Sequence, residues 1–190
     1  MPKIGMEPVR RAALIEATIG EIGNAGSLDV TVAQIARRAG VSSALAHHYF
    51  GGKEQLFCDS MRHIIGLYGE SVRSALARST TPRARLEAVI RASFGPANFR
   101  HEVVAAWMNF YVQAQVSAPA RRLLVIYQRR LRSNLVHDLR PLAGTRAPEM
   151  AETLAALIDG IYIRAALGSV SSADATARTL STLDLLLEAQ

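Results

Sequence analysis

The chain has a single cysteine, Cys58, in 190 residues. One thiol cannot close an internal disulfide and has no thiol neighbour with which to hold zinc, so the sequence suits a reducing compartment. In a helical context Cys58 reads as a small packed apolar residue, not a reactive nucleophile. Long hydrophobic runs are also missing. The most apolar stretch, 152-ETLAALIDGIYIRAALGSV-170, is interrupted by Asp159 and Arg164, and no uninterrupted run reaches the roughly 18 residues of a membrane span. The opening MPKIGMEPVRR lacks the continuous apolar segment of an export signal. The expected compartment is the cytoplasm, with no membrane partner. Alternating β-branched residues are nearly absent too, which argues against a sheet.

What is present suits a folded helical protein: 49% hydrophobic residues with 20% charged, far from the composition of a disordered chain. A length of 190 residues fits one domain, or a small module fused to a larger one. The net charge of +6 and pI near 10.1 invite a nucleic-acid partner, but the charge is unevenly spread. Residues 1–62 hold seven Lys or Arg against six Asp or Glu, and most of the excess lies later, notably in 121-RRLLVIYQRRLR-132. Motif positions must therefore carry any claim about DNA.

Apolar residues recur at three- and four-residue spacing throughout, which predicts an all-α fold. A first helix runs from Val9 to Ala25, with Val9, Ala12, Ala13, Ile15, Ile19 and Ile22 as its apolar stripe and 23-GNAG-26 as its stop. Asp29 or Thr31 caps a short second helix, Val32 to Ala39, and Ser42 or Ser43 caps a third that runs to about Tyr49. Gly51 and Gly52 then break the chain before a long helix from Lys53 to about Ala77. Further helices are expected over Pro82 to about Phe94, His101 to about Val116, Ala120 to about Leu139, Met150 to Leu167, and Ser172 to Leu187, with 141-PLAGTRAP-148 as a loop. The expected boundary divides residues 1–52 from 53–190.

The second and third helices form a helix-turn-helix, 31-TVAQIARRAGVSSALAHHYF-50. Ile35 and Ala36 face inward, Gly40 takes a turn that a β-carbon would obstruct, Val41 fills the angle, and Leu45 faces the core. Ser43, Ala44, His47 and His48 then occupy the outer face of the third helix. Small residues there allow close approach to a major groove, where hydroxyls, imidazoles and the helix N-terminus meet bases or phosphates. Neighbouring histidines diverge by about 100° on a helix and cannot both ligate one metal, so no metal site is expected.

Here the sequence resembles the TetR family of bacterial repressors. Its pattern T-x-x-x-I-A-x-x-A-G-V-S is met by Thr31, Ile35, Ala36, Ala39, Gly40, Val41 and Ser42, and Y/H-F-x-x-K-E-x-L by Tyr49, Phe50, Lys53, Glu54 and Leu56. It departs at Ala44, where glycine is usual, and at His47, where tyrosine is commonest. The resemblance implies that Thr31, Ser43, Tyr49 and Lys53 touch the DNA backbone while His47 and His48 lie near bases or phosphates. With Arg37, Ser42 and Ala44 these make the candidate DNA-contacting set.

The larger bundle carries aromatic residues in a cluster: Trp107, Phe110 and Tyr111 at i, i+3 and i+4, then Tyr127 and Tyr162 on later helices. Converging, they form either ordinary core or a cage for a quaternary ammonium, each ring face contributing about 0.5 to 2 kcal/mol. Asp159, set among Leu157, Ile158, Ile161 and Ile163, is costly unless paired. Arg164, another arginine or a bound cation is its expected partner. The stretch 154-LAALIDGIYIRAALGS-169 is similar to the L-A-A-L-I-D-G-[LI]-[WY]-[LI]-R signature of choline-responsive members of the family, and 129-RRLRSNL-135 also looks like them. That resemblance implies choline as a small cationic effector, control of genes for choline uptake and oxidation to glycine betaine, and no cofactor.

The last two helices are apolar around more than one face, with Leu154, Leu157, Ile158, Ile161 and Leu167, then Leu180, Leu183, Leu185, Leu186 and Leu187. One face covers the protomer's own core and the surplus implies a homodimer through these helices. Two recognition helices would then sit about 34 to 36 Å apart, matching successive major grooves of a palindromic operator. Two other readings compete. A small enzyme using His47, His48 or His63 with Asp59 lacks a nucleophile, a phosphate loop and a ligand-spaced set. A purely structural dimerisation protein leaves the helix-turn-helix unexplained. No catalytic residue is assigned.

Overall fold

In the computed structural model, which describes residues 5–188, the chain is all-α. Its elements among the described residues are α1 (Met6–Ala25), α2 (Val32–Arg38), α3 (Ser43–Phe50), α4 (Lys53–Ala77), α5 (Pro82–Ser93), α6 (His101–Val116), α7 (Ala118–Ala143), a 3-10 turn at Gly144–Arg146, α8 (Ala147–Ala166) and α9 (Ser172–Glu188).

Most helices start where a side chain satisfies the first free amides. Thr31, not Asp29, caps α2 in a reciprocal box: its hydroxyl accepts from the Gln34 amide, and its own amide donates to Gln34 Oε1 at 2.7 Å. Ser42, not Ser43, caps α3 by accepting from the Leu45 amide at 3.2 Å. Thr81 and Ser117 do the same for α5 and α7, each followed by a first-turn proline. Between α2 and α3, Gly40 stands at φ 68°, the left-handed region in which a β-carbon is strained.

α1 crosses α6 closely because Gly23 has no side chain. A β-carbon there would stand 2.5 Å from Glu102 Cγ and 2.7 Å from Glu102 Cα. The core runs continuously from Leu14, Ile22, Ile35 and Leu56 through Leu86, Phe94 and Phe110 to Leu135 and Ile158. The long α4 enters both parts, with Leu56 and Met61 near its start and Ile65, Tyr68 and Val72 further along.

Several sequence expectations are corrected. The inward face of α1 is Leu14, Ala17, Ile19 and Ile22, whereas Val9 is 59% exposed and Ala12 lies outside. Core contact extends only along the part of α1 that other helices cover. The inner face of α3 is Ala46 and Phe50, with Leu45 half-buried. The expected loop over 141–148 is largely helical, because α7 continues to Ala143 and α8 starts at Ala147. Pro141 is tolerated because it falls in the last turn on an exposed side, where solvent serves the carbonyl it cannot meet, and Pro148 occupies the first turn of α8.

Candidate functional site

Two surfaces bring the chemistry-bearing residues together. On α3, Ser43, Ala44, His47 and His48 are all exposed, while Ala46 and Phe50 anchor the helix from beneath. Arg11 of α1, which the sequence reading did not single out, holds this helix end: its guanidinium donates to the Tyr49 carbonyl at 2.8 Å and lies 4.5 Å from the Phe50 ring centroid. Tyr49 is half-buried, and its ring packs 5.6 Å from that of His48. A ring nitrogen of His47 lies 3.1 Å from the Gly51 carbonyl, so the two imidazoles have different neighbours.

The remaining candidates on this side have distinct local partners. The hydroxyls of Thr31 and Ser42 serve as helix caps. Lys53, the first residue of α4, donates to the Leu28 carbonyl at 3.0 Å and ties α4 to the segment before α2. Arg38 is held by Glu21 at 3.1 Å, whereas Arg37 is exposed and has no ion pair among the described residues. The outward surface thus offers hydroxyls, imidazoles, an ammonium and one uncommitted guanidinium, the donor set of a phosphate-lined groove.

In the bundle, Trp107 is the hub of the aromatic residues. Its ring centroid lies 4.5 Å from Tyr127, 5.8 Å from Phe110, 6.0 Å from Tyr111 and 6.2 Å from Tyr162. The structure therefore gathers all five predicted rings, from α6, α7 and α8. They divide into two kinds. Phe110 is fully buried and packs edge-on against Phe57 of α4 as core. Tyr111, Tyr127 and Tyr162 bring hydroxyls as well as ring faces.

Three partners escaped the sequence reading of the site. Tyr68 of α4 meets Tyr127 at 5.8 Å, and Phe94 and Phe99 pack on Tyr162 at 6.1 and 5.3 Å. Tyr68 is one of many buried positions on the long α4, and no local signal marks it for this cluster. The Tyr162 hydroxyl donates to the Ser93 carbonyl at 2.6 Å, which fixes its ring against the end of α5.

Asp159 lies among these tyrosines without the expected arginine, since no ion pair to it exists among the described residues. Arg164 is exposed and points its chemistry elsewhere on α8, five residues along and on a different side of the helix. The Tyr111 hydroxyl is instead the polar partner of the Asp159 carboxyl. Burial raises the Asp159 pKa above the ordinary carboxylate value, and the Tyr111 hydrogen bond offsets only part of that. The surrounding phenols respond to the same setting. Burial pushes Tyr68 up to about 12, with a hydrogen bond to Ser93 opposing it. Burial likewise raises Tyr111, Tyr127 and Tyr162, with Asp159 adding to each. The phenols stay neutral beside one carboxyl that makes no ion pair among the described residues, although Arg129 and Arg132 line the cleft on its outer side, and the combination of ring faces and negative charge suits a small organic cation.

Cys58 is buried, and that burial raises its thiol pKa, so it behaves as core. Among the described residues no group of His, Cys, Asp and Glu is arranged to hold a metal ion, and no helix is long and apolar enough to cross a membrane.

A helix-turn-helix joined to a larger helical bundle is the architecture of a DNA-binding transcriptional regulator. Residues 14–58 match the bacterial regulatory proteins of the tetR family, and residues 82–188 match the BetI-type transcriptional repressor C-terminal family. The chain belongs to the TetR family and is a transcriptional repressor of the BetI type. It is similar to the HTH-type transcriptional regulator BetI of Brucella anthropi, 56% identical over 170 residues that cover 89% of this chain and 88% of the relative. The regulator of the same name from Rhizobium meliloti is 54% identical, over 89% of this chain and 84% of its own length. Among solved structures, a transcriptional regulator from Pseudomonas aeruginosa aligns with a TM-score of 0.83 at 26% identity, covering all of this chain (100%) and 96% of that one. A regulator from Saccharomonospora viridis, solved in complex with choline, shares the fold with a TM-score of 0.81 at 20% identity, covering 97% of this chain and 98% of that one.

Proposed function

We propose that the chain works as a cytoplasmic homodimer that represses genes for choline uptake and oxidation to glycine betaine, and leaves its palindromic operator when choline binds. Residues 1–52 read DNA and 53–190 sense the ligand and dimerise. The observation that carries the ligand assignment is the Asp159 carboxyl, which lies within the aromatic cluster around Trp107 without a basic partner among the described residues. Trp107, Tyr111, Tyr127 and Tyr162 supply ring faces to the trimethylammonium group, Phe110 backs Trp107, and Asp159 supplies the counter-charge. The Saccharomonospora viridis regulator, which holds choline on the same fold, supports this reading.

At the other end, Thr31, Arg37, Ser43, Tyr49 and Lys53 meet phosphates, and His47 and His48 on α3 enter the major groove with Ser42 and Ala44 allowing close approach. The dimer uses the faces of α8 and α9 that the protomer leaves outside, where Ile163, Leu167 and Leu185 are 54%, 79% and 63% exposed. α6 links the two ends. Its Trp107 centres the cluster, while its N-terminal side grips α1: Arg100 pairs with Glu16 at 3.3 Å, and a His101 ring nitrogen lies 3.2 Å from the Gly23 carbonyl. Choline releases DNA by binding more tightly to the arrangement in which the two α3 helices no longer match groove spacing.

The test is calorimetric titration of the purified protein with choline, followed by operator release in a mobility-shift assay. Glycine betaine and a neutral alcohol with carbon in place of the ammonium nitrogen serve as controls. Selective binding of choline is the expected result. A folded dimer that shifts its promoter DNA yet binds none of the three would remove choline from the proposal.

A further inference from the structure

Between the distal half of α4 and the middle of α7 lies a cleft of about 230 Å³. Its α4 wall presents Ile65, Tyr68, Val72 and Leu76, which recur at helical spacing on one face, and its α7 wall presents Tyr127 and Leu131. Gly69, in the middle of the α4 wall, lets the Arg73 side chain fold back over it: a β-carbon there would stand 3.4 Å from Arg73 Nη1. The walls are therefore apolar and well packed, with Ile65, Val72 and Leu131 all buried.

The rim has the opposite character. Arg73 of α4 and Arg130 of α7 line the same cleft, and neither makes an ion pair or hydrogen bond through its side chain with any described residue. Asn134, one turn beyond Arg130, also lines it and its amide is likewise uncommitted. An apolar slot with a few convergent polar groups is the usual form of a small-molecule site, and this one is smaller than the roughly 300 to 1,000 Å³ of sites for drug-sized ligands. Guanidinium groups have the fork geometry that suits a carboxylate, and two of them at one mouth select an anion over a cation.

We propose that this cleft is a second ligand site that binds a small organic carboxylate with an apolar tail. The carboxylate sits between Arg73 and Arg130 with the Asn134 amide as a further donor, and the tail lies between Val72 and Leu131. The cleft shares Tyr68 and Tyr127 with the aromatic cluster and lies on their outer side, but its charge preference is opposite to that around Asp159, so the two sites take different molecules. The assignment does not depend on the identity of the cation. Since α4 begins at Lys53 beside the helix-turn-helix, a molecule bridging α4 to α7 acts on the element that joins sensing to DNA reading.

The test is titration of the full chain with hexanoate, with hexanol as the neutral comparison. Hexanoate is expected to bind at least about tenfold more tightly than hexanol, as hydrogen bonds to charged groups outweigh neutral ones. The Arg73→Gln/Arg130→Gln double variant, altered only at exposed positions, is expected to lose that margin while its choline titration stays at wild-type strength. Gly69→Leu, whose side chain would push into the slot and displace the Arg73 guanidinium that lies over this position, is expected to lose hexanoate as well. No hexanoate binding, equal affinity for hexanol, or undiminished binding in either variant would overturn the proposal. Loss of choline binding with hexanoate binding intact would count against the cation site and leave this one standing.

Discussion

Replacing Asp159 with Asn should weaken choline binding and stabilise the free protein, two effects of opposite sign from one change. The substitution keeps the shape and the hydrogen-bonding partner Tyr111 but removes the charge. At about 4 Å and an effective dielectric near 20, a cation and a carboxylate attract by about 4 kcal/mol. Desolvating the quaternary ammonium cancels part of that, while the half-buried carboxylate is already partly desolvated before the ligand arrives. If about half remains, Asp159→Asn loses about 2 kcal/mol, or roughly 30-fold in choline affinity. The stability effect follows from the raised pKa. A carboxyl that ionises at higher pH in the folded chain holds more protons there than when unfolded, so ionising it penalises the native state as pH rises. That penalty is absent below the unfolded value, grows between the two values and is complete above the folded one. Asp159→Asn should therefore raise Tm at neutral pH and lose that advantage in acid. Wild-type choline affinity should fall as pH drops through the raised Asp159 value, and the variant should show no such dependence. Calorimetric titration and thermal unfolding across pH test both halves. Equal choline affinity in wild type and variant, or a variant less stable than wild type at neutral pH, would refute the assignment of Asp159 as an unpaired counter-charge.

Three further substitutions separate sensing, reading and scaffold. Trp107→Ala should abolish measurable choline binding and cost about 3 to 5 kcal/mol of stability as a buried aromatic deletion, while the folded variant still retards operator DNA in a mobility-shift assay. Tyr49→Phe removes one hydroxyl from the α3 end and should weaken operator binding by about 0.5 to 1.5 kcal/mol, leaving choline titration unchanged. Gly23→Ala places a β-carbon 2.5 Å from Glu102 Cγ and 2.7 Å from its backbone Cα. It should destabilise the chain by about 1 to 3 kcal/mol through overpacking, read as a lower denaturation midpoint with an unchanged m-value.

The helical architecture was legible because its signals are local. The cap candidates before α2 and α3 and Pro82 at the first turn of α5 announce helix starts within four residues of sequence, although Asp29 competed with Thr31 and Ser43 with Ser42 until the structure showed which side chains cap. The departures arose where local signals compete with packing. The proline-bearing 141–148 segment looked like a loop, yet Leu139, Ala147 and Met150 are buried, and that burial holds both flanking helices together across the short 3-10 turn. Val9 had the right spacing for the core stripe of α1, but spacing does not reveal where the neighbouring helices end.

The aromatic cluster was half legible for a related reason. Periodicity places Trp107, Phe110 and Tyr111 on one side of α6, but it cannot give the crossing that puts Tyr127 at 4.5 Å from Trp107 or brings Tyr68 from α4 into the same neighbourhood. Nor does it show which polar group satisfies Asp159. Arg164 lies five residues away on the same helix, a separation that turns it off the Asp159 face, whereas Tyr111 lies 48 positions earlier and reaches the carboxyl only through the packing of α6 on α8. The same holds for Arg85 and Asp138, an ion pair at 2.7 Å that joins α5 to α7 across 53 positions of sequence and leaves one buried carboxylate oxygen, Asp138 Oδ2, without a hydrogen-bond partner among the described residues. A buried carboxylate announces that it needs a partner. Which partner it finds is decided by helix crossings, and those depend on small contacts such as Gly23 against Glu102 that leave no periodic trace in the sequence.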